Sequence, residues 1–236
     1  MQNVKNGKNS QESQSSPAAL VVAAQNDGKK HLLLAASGSV ATIKLPLIIS
    51  AFKHHSNLSI RIILTANATN FLAGQSSEQP PIFSSQPALP SLATLPNVDG
   101  IYLNADEWTP PWTRNSPILH IELRRWADLL VVAPMSANLL AKVTAGLCDD
   151  LLTSVLRAWD VRKGVLVAPA MNTMMWEHPV TARQVRVLRE EWSWFEVLMP
   201  QVKEIACGDV GQGGMKEWKE IVEVVERRLE RIESVR

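Results

Sequence analysis

A chain of 236 residues with 46% hydrophobic and 20% charged side chains can build a packed core as one domain or a tight pair, which excludes wholesale disorder. Its net charge of +1 leaves no footprint for nucleic acid, and no apolar run is long enough to span a bilayer. Two cysteines, Cys148 and Cys207, and no secretory leader exclude a disulfide scaffold and point to a reducing, cytoplasmic setting.

Residues 1–28 open with a polar stretch rich in Ser, Asn and Gln, and are expected to form a disordered tail ahead of one domain over 29–236. HLLLAA predicts a buried strand, SGSVA a turn and TIKLPLIISAFKHH a helix. SIRIILT predicts the second strand, and ATNFL opens a helix. Residues 73–98 are rich in Pro, Ser and Gln, lack any period, and predict a surface insertion. IYLNA reads as a strand, HIELRRWA as a short helix, DLLVVAP as a strand and SANLLAKVTAGLCDDLLTSVLRAW as one long helix. GVLVAP, TARQVRVLREEW and FEVLMP predict strand, helix and last strand. Trp218, Ile221, Val222, Val225, Leu229 and Ile232 recur at helical spacing, which predicts a closing amphipathic helix on the sheet. Alternating strands and helices predict an α/β fold: a doubly wound, mainly parallel sheet in a Rossmann-like or flavodoxin-like three-layer sandwich. In such sheets the ligand crevice lies beyond the carboxyl ends of the strands.

The strand ends are therefore where chemistry is sought. After the first strand, Ser37, Gly38, Ser39 and Val40 open a helix; small residues there let backbone N–H groups approach an anion, though an ordinary tight turn explains them equally well. Thr65 after the second strand fits an N-cap, as does Ser136, with Asn138 in the first turn beyond it. In PAMNTMMWEHP, Asn172 and Met175 are three apart and share a face. Methionine suits a flat ring, and an asparagine amide suits a carboxylate, against the alternative that the Met and Trp side chains are core. Cys207 sits among glycines in IACGDVGQGGM, which predicts a mobile loop and a chemical role; Cys148, read as mid-helix, predicts a buried structural role. His120 begins a helix, where the dipole lowers basicity and suits a base near neutrality. No CxxC or HExxH occurs, so no metal site is expected, and no GxGxxG or Walker A motif is present.

SGSVATIK, LHIELRRWADLLVVAPMSANLLAK, PAMNTMMW and ACGDVGQGGM, in that order, resemble the phosphopantothenoylcysteine decarboxylases, within the homo-oligomeric flavin-containing Cys decarboxylases. The resemblance runs over residues 31–218, interrupted at 73–98, and departs at Met135, where the family more often has a small residue. It implies an FMN enzyme that converts 4′-phosphopantothenoylcysteine to 4′-phosphopantetheine on the route to coenzyme A. It implies His120 as the active-site base, Asn172 on the substrate carboxylate with Met175 beside it, and Cys207 on a lid that supplies a late proton. Gly38, Ser39, Val40, Thr65, Ser136, Ala137, Asn138 and Ala170 match cofactor-contacting positions. It also implies a homotrimer with sites near subunit interfaces, and leaves room for mixed trimers with paralogues. The chemistry is redox-neutral overall: transient oxidation to a thioaldehyde gives the departing carboxylate an electron sink.

Two other readings stay open. Some fungal relatives are non-enzymatic regulatory subunits that inhibit a type-1-like protein phosphatase; this chain keeps His120, Asn172 and Cys207 and ends at IESVR without an acidic tail. Related flavin enzymes act on peptides with a C-terminal cysteine or transfer a prenyl group.

Overall fold

The computed structural model describes residues 16–72, 88–204 and 210–233. Six parallel strands form one sheet: β1 (Lys30–Ala36), β2 (Leu58–Leu64), β3 (Val98–Tyr102), β4 (Leu129–Met135), β5 (Val165–Pro169) and β6 (Phe195–Val197), in the order β3-β2-β1-β4-β5-β6. Strand order reverses between β1 and β4, where β1 pairs Leu32 with Leu129 on one side and Lys30 with Leu58 on the other. This is the doubly wound arrangement that the strand–helix alternation predicts.

The central strands β1 and β4 are apolar from Leu32 and Leu129 onward because both faces are covered. Leu32, Leu34 and Ala36 of β1 enter one core with Leu129, Val131 and Ala133 of β4. That face is closed by α2 (Leu45–Ala51), α3 (Ala66–Phe71), α4 (Ala88–Ala93) and, near the end of the chain, α10 (Trp218–Glu233), whose Ile221, Val222, Val225 and Leu229 are buried. Leu33 and Ala35 point the other way, with Leu130, Val132 and Met135. Their face is closed by α1 (Pro17–Ala23), α5 (Leu119–Trp126), α6 (Ala137–Thr144), α7 (Leu151–Arg157) and α9 (Pro179–Arg186). Met135, the residue that departs from the resembled pattern, is fully buried in this core. None of the helices among the described residues is long and apolar enough to cross a membrane.

Several elements differ from the sequence reading. Residues 17–23, placed in a disordered tail, form α1: Ser16 caps it, Pro17 opens it, and Ala18 and Val21 are buried on α5. The segment is tied down by His31, whose Nδ1 lies 2.9 Å from the Trp126 carbonyl oxygen and whose Nε2 lies 2.9 Å from Asp27 Oδ1. Residues 73–87 of the expected insertion lie outside the described residues, but its later part is structured: α4 is followed by buried Leu95, and β3 begins at Val98. The helix expected from 136 to 159 is two helices. Gly146 at φ 74 stops α6 in the left-handed conformation, and Asp150 caps α7 by accepting the Thr153 N–H at 2.9 Å. Cys148 falls in the break and is exposed, so its expected burial does not hold. The stretch after β1 opens as a 3-10 turn, Val40–Lys44, ahead of the short α2. After α9 the chain passes through a π-helical turn, Val187–Glu191.

The last correction concerns the glycine-rich segment. It is one arm of an antiparallel hairpin, β7 (Gln201–Glu204) with β8 (Val210–Gly214), where the sequence suggested only a loop. Residues 205–209, Cys207 among them, lie outside the described residues.

Candidate functional site

The crevice at the strand-order reversal is built from three loops. Thr65 N–H donates to the Ala36 carbonyl at 3.1 Å, which ties the end of β2 to the end of β1. Across the reversal, Ser37 Oγ donates to the Pro134 carbonyl at 3.0 Å and accepts the Ser136 N–H at 2.8 Å. A buried serine thus closes the backbone groups that splaying strands would leave unpaired. Above these links lies a cleft of about 170 Å³ lined by Ser37, Gly38, Thr65, Asn67, Asn104, Ser136, Asn138 and Lys142 among others.

Four sequence-predicted residues, Gly38, Thr65, Ser136 and Asn138, line this cleft together. Thr65 caps α3 through the Ala68 N–H at 3.3 Å, and Ser136 caps α6 through the Leu139 N–H at 3.3 Å. Gly38 is demanded by close packing: a Cβ there would stand 2.5 Å from Asn67 Cβ. Ser39, Val40, Ala137 and Ala170 are not lining residues. Ser39 is extended at φ −142 with its hydroxyl unused for capping, Val40 is exposed, Ala137 is half-buried beside Ser136, and buried Ala170 donates its N–H to the Met135 carbonyl at 2.9 Å. Ser37, read in the sequence only as part of the turn after β1, also lines the cleft, and Asn67, Asn104 and Lys142 were not foreseen. The hydrogen bond from Lys142 to Asp149, with Asp150 adding to it, holds the Lys142 ammonium above its usual range despite some burial.

The PAMNTMMW segment follows β5. Asn172 caps α8 (Thr173–Glu177), its Oδ1 accepting the Met174 N–H at 2.8 Å. Met174 and Met175 are 67% and 54% exposed, so they are not the core side chains an apolar stripe would otherwise suggest. Thr173 is buried instead. The base of the β7–β8 hairpin docks here: Met171 N–H donates to the Gly213 carbonyl at 3.0 Å. Gly213 sits at φ 143, and a Cβ would come within 2.6 Å of the Met171 carbonyl oxygen. The hairpin is therefore mounted directly on the segment carrying Asn172.

His120 is not among the residues that line the cleft. It is the second residue of α5, which packs on α1 and α7, whereas α8 packs on β8 and α9. Its Nδ1 lies 2.7 Å from Glu107 Oε1, on a 3-10 turn over Asn104–Trp108 that the sequence analysis passed over. Among the described residues no group of three or more His, Cys, Asp or Glu side chains is arranged to hold a metal.

A family model described as Flavoprotein matches residues 21–230. The chain belongs to the Flavoprotein family. This flavoprotein is 42% identical over 208 residues to phosphopantothenoylcysteine decarboxylase of Mus musculus, covering 88% of this chain and 91% of that one. Among solved structures, it is 40% identical, with a TM-score of 0.71, to a cysteine-to-serine mutant of PPC decarboxylase complexed with pantothenoylaminoethenethiol, covering 86% of this chain and 99% of that one. It is 41% identical, with a TM-score of 0.67, to the FMN binding protein AtHal3, covering 84% and 95%. Fungal relatives at 37 to 43% identity are longer, and the chain spans only 30 to 41% of their length; one, from Saccharomyces cerevisiae, is named a phosphopantothenoylcysteine decarboxylase subunit.

Proposed function

We propose that this flavoprotein is a phosphopantothenoylcysteine decarboxylase that binds FMN at the strand-end cleft and forms 4′-phosphopantetheine from 4′-phosphopantothenoylcysteine. The observation that carries the reading is the likeness, at 40% identity over 86% of the chain, to a PPC decarboxylase bound to an enethiol. The cleft fits the cofactor chemically. Its wall is a backbone cradle that a Cβ at Gly38 would disrupt, with polar side chains at Thr65, Asn67, Asn104, Ser136 and Asn138. FMN, when bound, supplies a reversible hydride acceptor, the electron sink that a cysteine-derived carboxylate lacks.

The chain's own residues do the rest. His120 would hold the substrate thiol proton when Cβ is oxidised to the thioaldehyde. Asn172 holds the carboxylate through its side-chain amide, whose Oδ1 also caps α8. Loss of CO2 then leaves an ene-thiolate. Hydride returned to carbon with a proton from Cys207 would give the saturated thiolate, which would take back from His120 the proton it gave up, so the redox change is zero. Exposed Met174, Met175 and Trp108 support assembly as a homotrimer whose sites draw on two subunits. The name of the fungal subunit supports mixed trimers with paralogues. We place the protein in the cytoplasm.

The test is a visible absorption spectrum of the purified protein, with the released chromophore identified by chromatography. A yellow protein that releases FMN is the expected result. A colourless protein that takes up no added FMN contradicts the reading.

A further inference from the structure

We infer that Glu107 is the positioning residue for His120, fixing the imidazole with its proton on Nδ1 so that Nε2 is the nitrogen offered to the substrate thiol. The inference rests on the proposed role of His120 as base. Glu107 belongs to no predicted element and has no motif, yet its side chain is 6% exposed, beside a His120 side chain that is 22% exposed. Oε1 is 2.7 Å from His120 Nδ1, while Oε2 is buried without a hydrogen-bond partner. An ionised carboxylate taken out of water with one oxygen unpaired is costly, and the contact that compensates it here is the imidazole. A carboxylate accepts and does not donate, so the shared proton belongs to Nδ1. Nε2 makes no hydrogen bond among the described residues and keeps its lone pair in the neutral ring.

The turn that carries Glu107 is itself braced. Asp106 Oδ2 accepts the Leu103 N–H at 2.6 Å, and Thr109 Oγ1 donates to the Ala105 carbonyl at 2.9 Å. Asn104 Oδ1 accepts the Leu151 N–H of α7 at 2.9 Å, and the same Asn104 lines the cleft. One five-residue turn therefore joins the wall of the proposed cofactor site to the ring of the proposed base. A side chain that merely filled space there would not need a charge, and an apolar residue would avoid leaving Oε2 unpaired.

The experiment combines spectroscopy with kinetics on the full chain. Long-range 1H–15N spectra of histidine-labelled protein, with His120→Asn to assign the signal, read the tautomer directly and need no turnover. The expected wild-type pattern is a protonated Nδ1 and an unprotonated Nε2. A wild-type ring protonated on Nε2 alone overturns the inference. In Glu107→Leu the ring should shift toward the Nε2–H form that free imidazole prefers. In the same variant kcat should fall at least about tenfold, and no more than the roughly 10⁴-fold a general base contributes, with KM and bound FMN unchanged. Glu107→Gln keeps the volume and an acceptor, and should recover part of kcat. Wild-type kcat in Glu107→Leu, or loss of FMN in step with kcat in both variants, contradicts a positioning role. If His120→Asn retains turnover, the assignment of the base fails, whereas the Glu107–Nδ1 contact still stands or falls by the wild-type spectrum.

Discussion

Ser37 and Gly38 show how little side chain the site requires. Ser37 closes the backbone across the strand-order reversal, and Gly38 lets that backbone lie against Asn67. A methyl group at 38 cannot be absorbed by a flexible side-chain end, because the clashing atom is Asn67 Cβ, the stem of its side chain. Gly38→Ala should therefore displace α3 and the cleft wall and weaken FMN retention at least about tenfold, with secondary structure intact; equilibrium dialysis against FMN checks this. Unchanged FMN affinity would contradict the placement of the cofactor. Gly38, Thr65, Ser136 and Asn138 were legible in the sequence because each follows a run that could only be a buried strand, and strand ends mark the crevice. Glu107 was not legible. It lies in an aperiodic stretch, and its meaning comes from a contact across thirteen residues that no spacing encodes. Lys142 was hidden for another reason: it sits within a helix whose break the sequence reading ran through.

At the level of elements, propensity and periodicity identified the strands of the sheet, except that IYLNA places β3 three residues late and runs into the 3-10 turn. They failed where the signal was short or contradictory. AGLCDD holds both a left-handed stop at Gly146 and a cap at Asp150, yet flanking apolar residues carried the helical period across it. In VGQGGM the arm of β8 has almost no side chains with which to show a period of two, so the hairpin read as a loop. α1 was lost because a seven-residue helix behind a polar leader is marginal alone and forms by packing on α5. Its anchorage gives a pH prediction. Burial acts to raise the Asp27 carboxyl, but the Lys29 backbone N–H and His31 outweigh it and hold the group below its ordinary 3.8. A carboxyl depressed on folding adds stability that is in place above that value and is lost as pH falls through the folded value beneath it. Urea midpoints measured downward from about pH 5 should fall more steeply in the wild type than in Asp27→Asn, with a stability difference under about 1 kcal/mol because Asp27 itself lies at the surface. Parallel profiles would mean that Asp27 does not secure the segment.

At the scale of the whole molecule, the two cores and the six-stranded order place three separate functional groups on one framework. The cleft belongs to β1, β2 and β4; Asn172 follows β5, where the hairpin docks; His120 and Glu107 sit on the connection into β4. The arrangement leaves soft apolar side chains exposed at Met174 and Met175, where a second chain and a substrate would cover them. The central claim joins these groups in one reaction. The most direct test incubates the FMN-loaded protein with 4′-phosphopantothenoylcysteine and follows the product by mass spectrometry, alongside His120→Asn. The account predicts loss of CO2 and accumulation of 4′-phosphopantetheine with the wild type, and no decarboxylation by a variant that still holds FMN. A wild-type protein that binds FMN but leaves the substrate intact would contradict it.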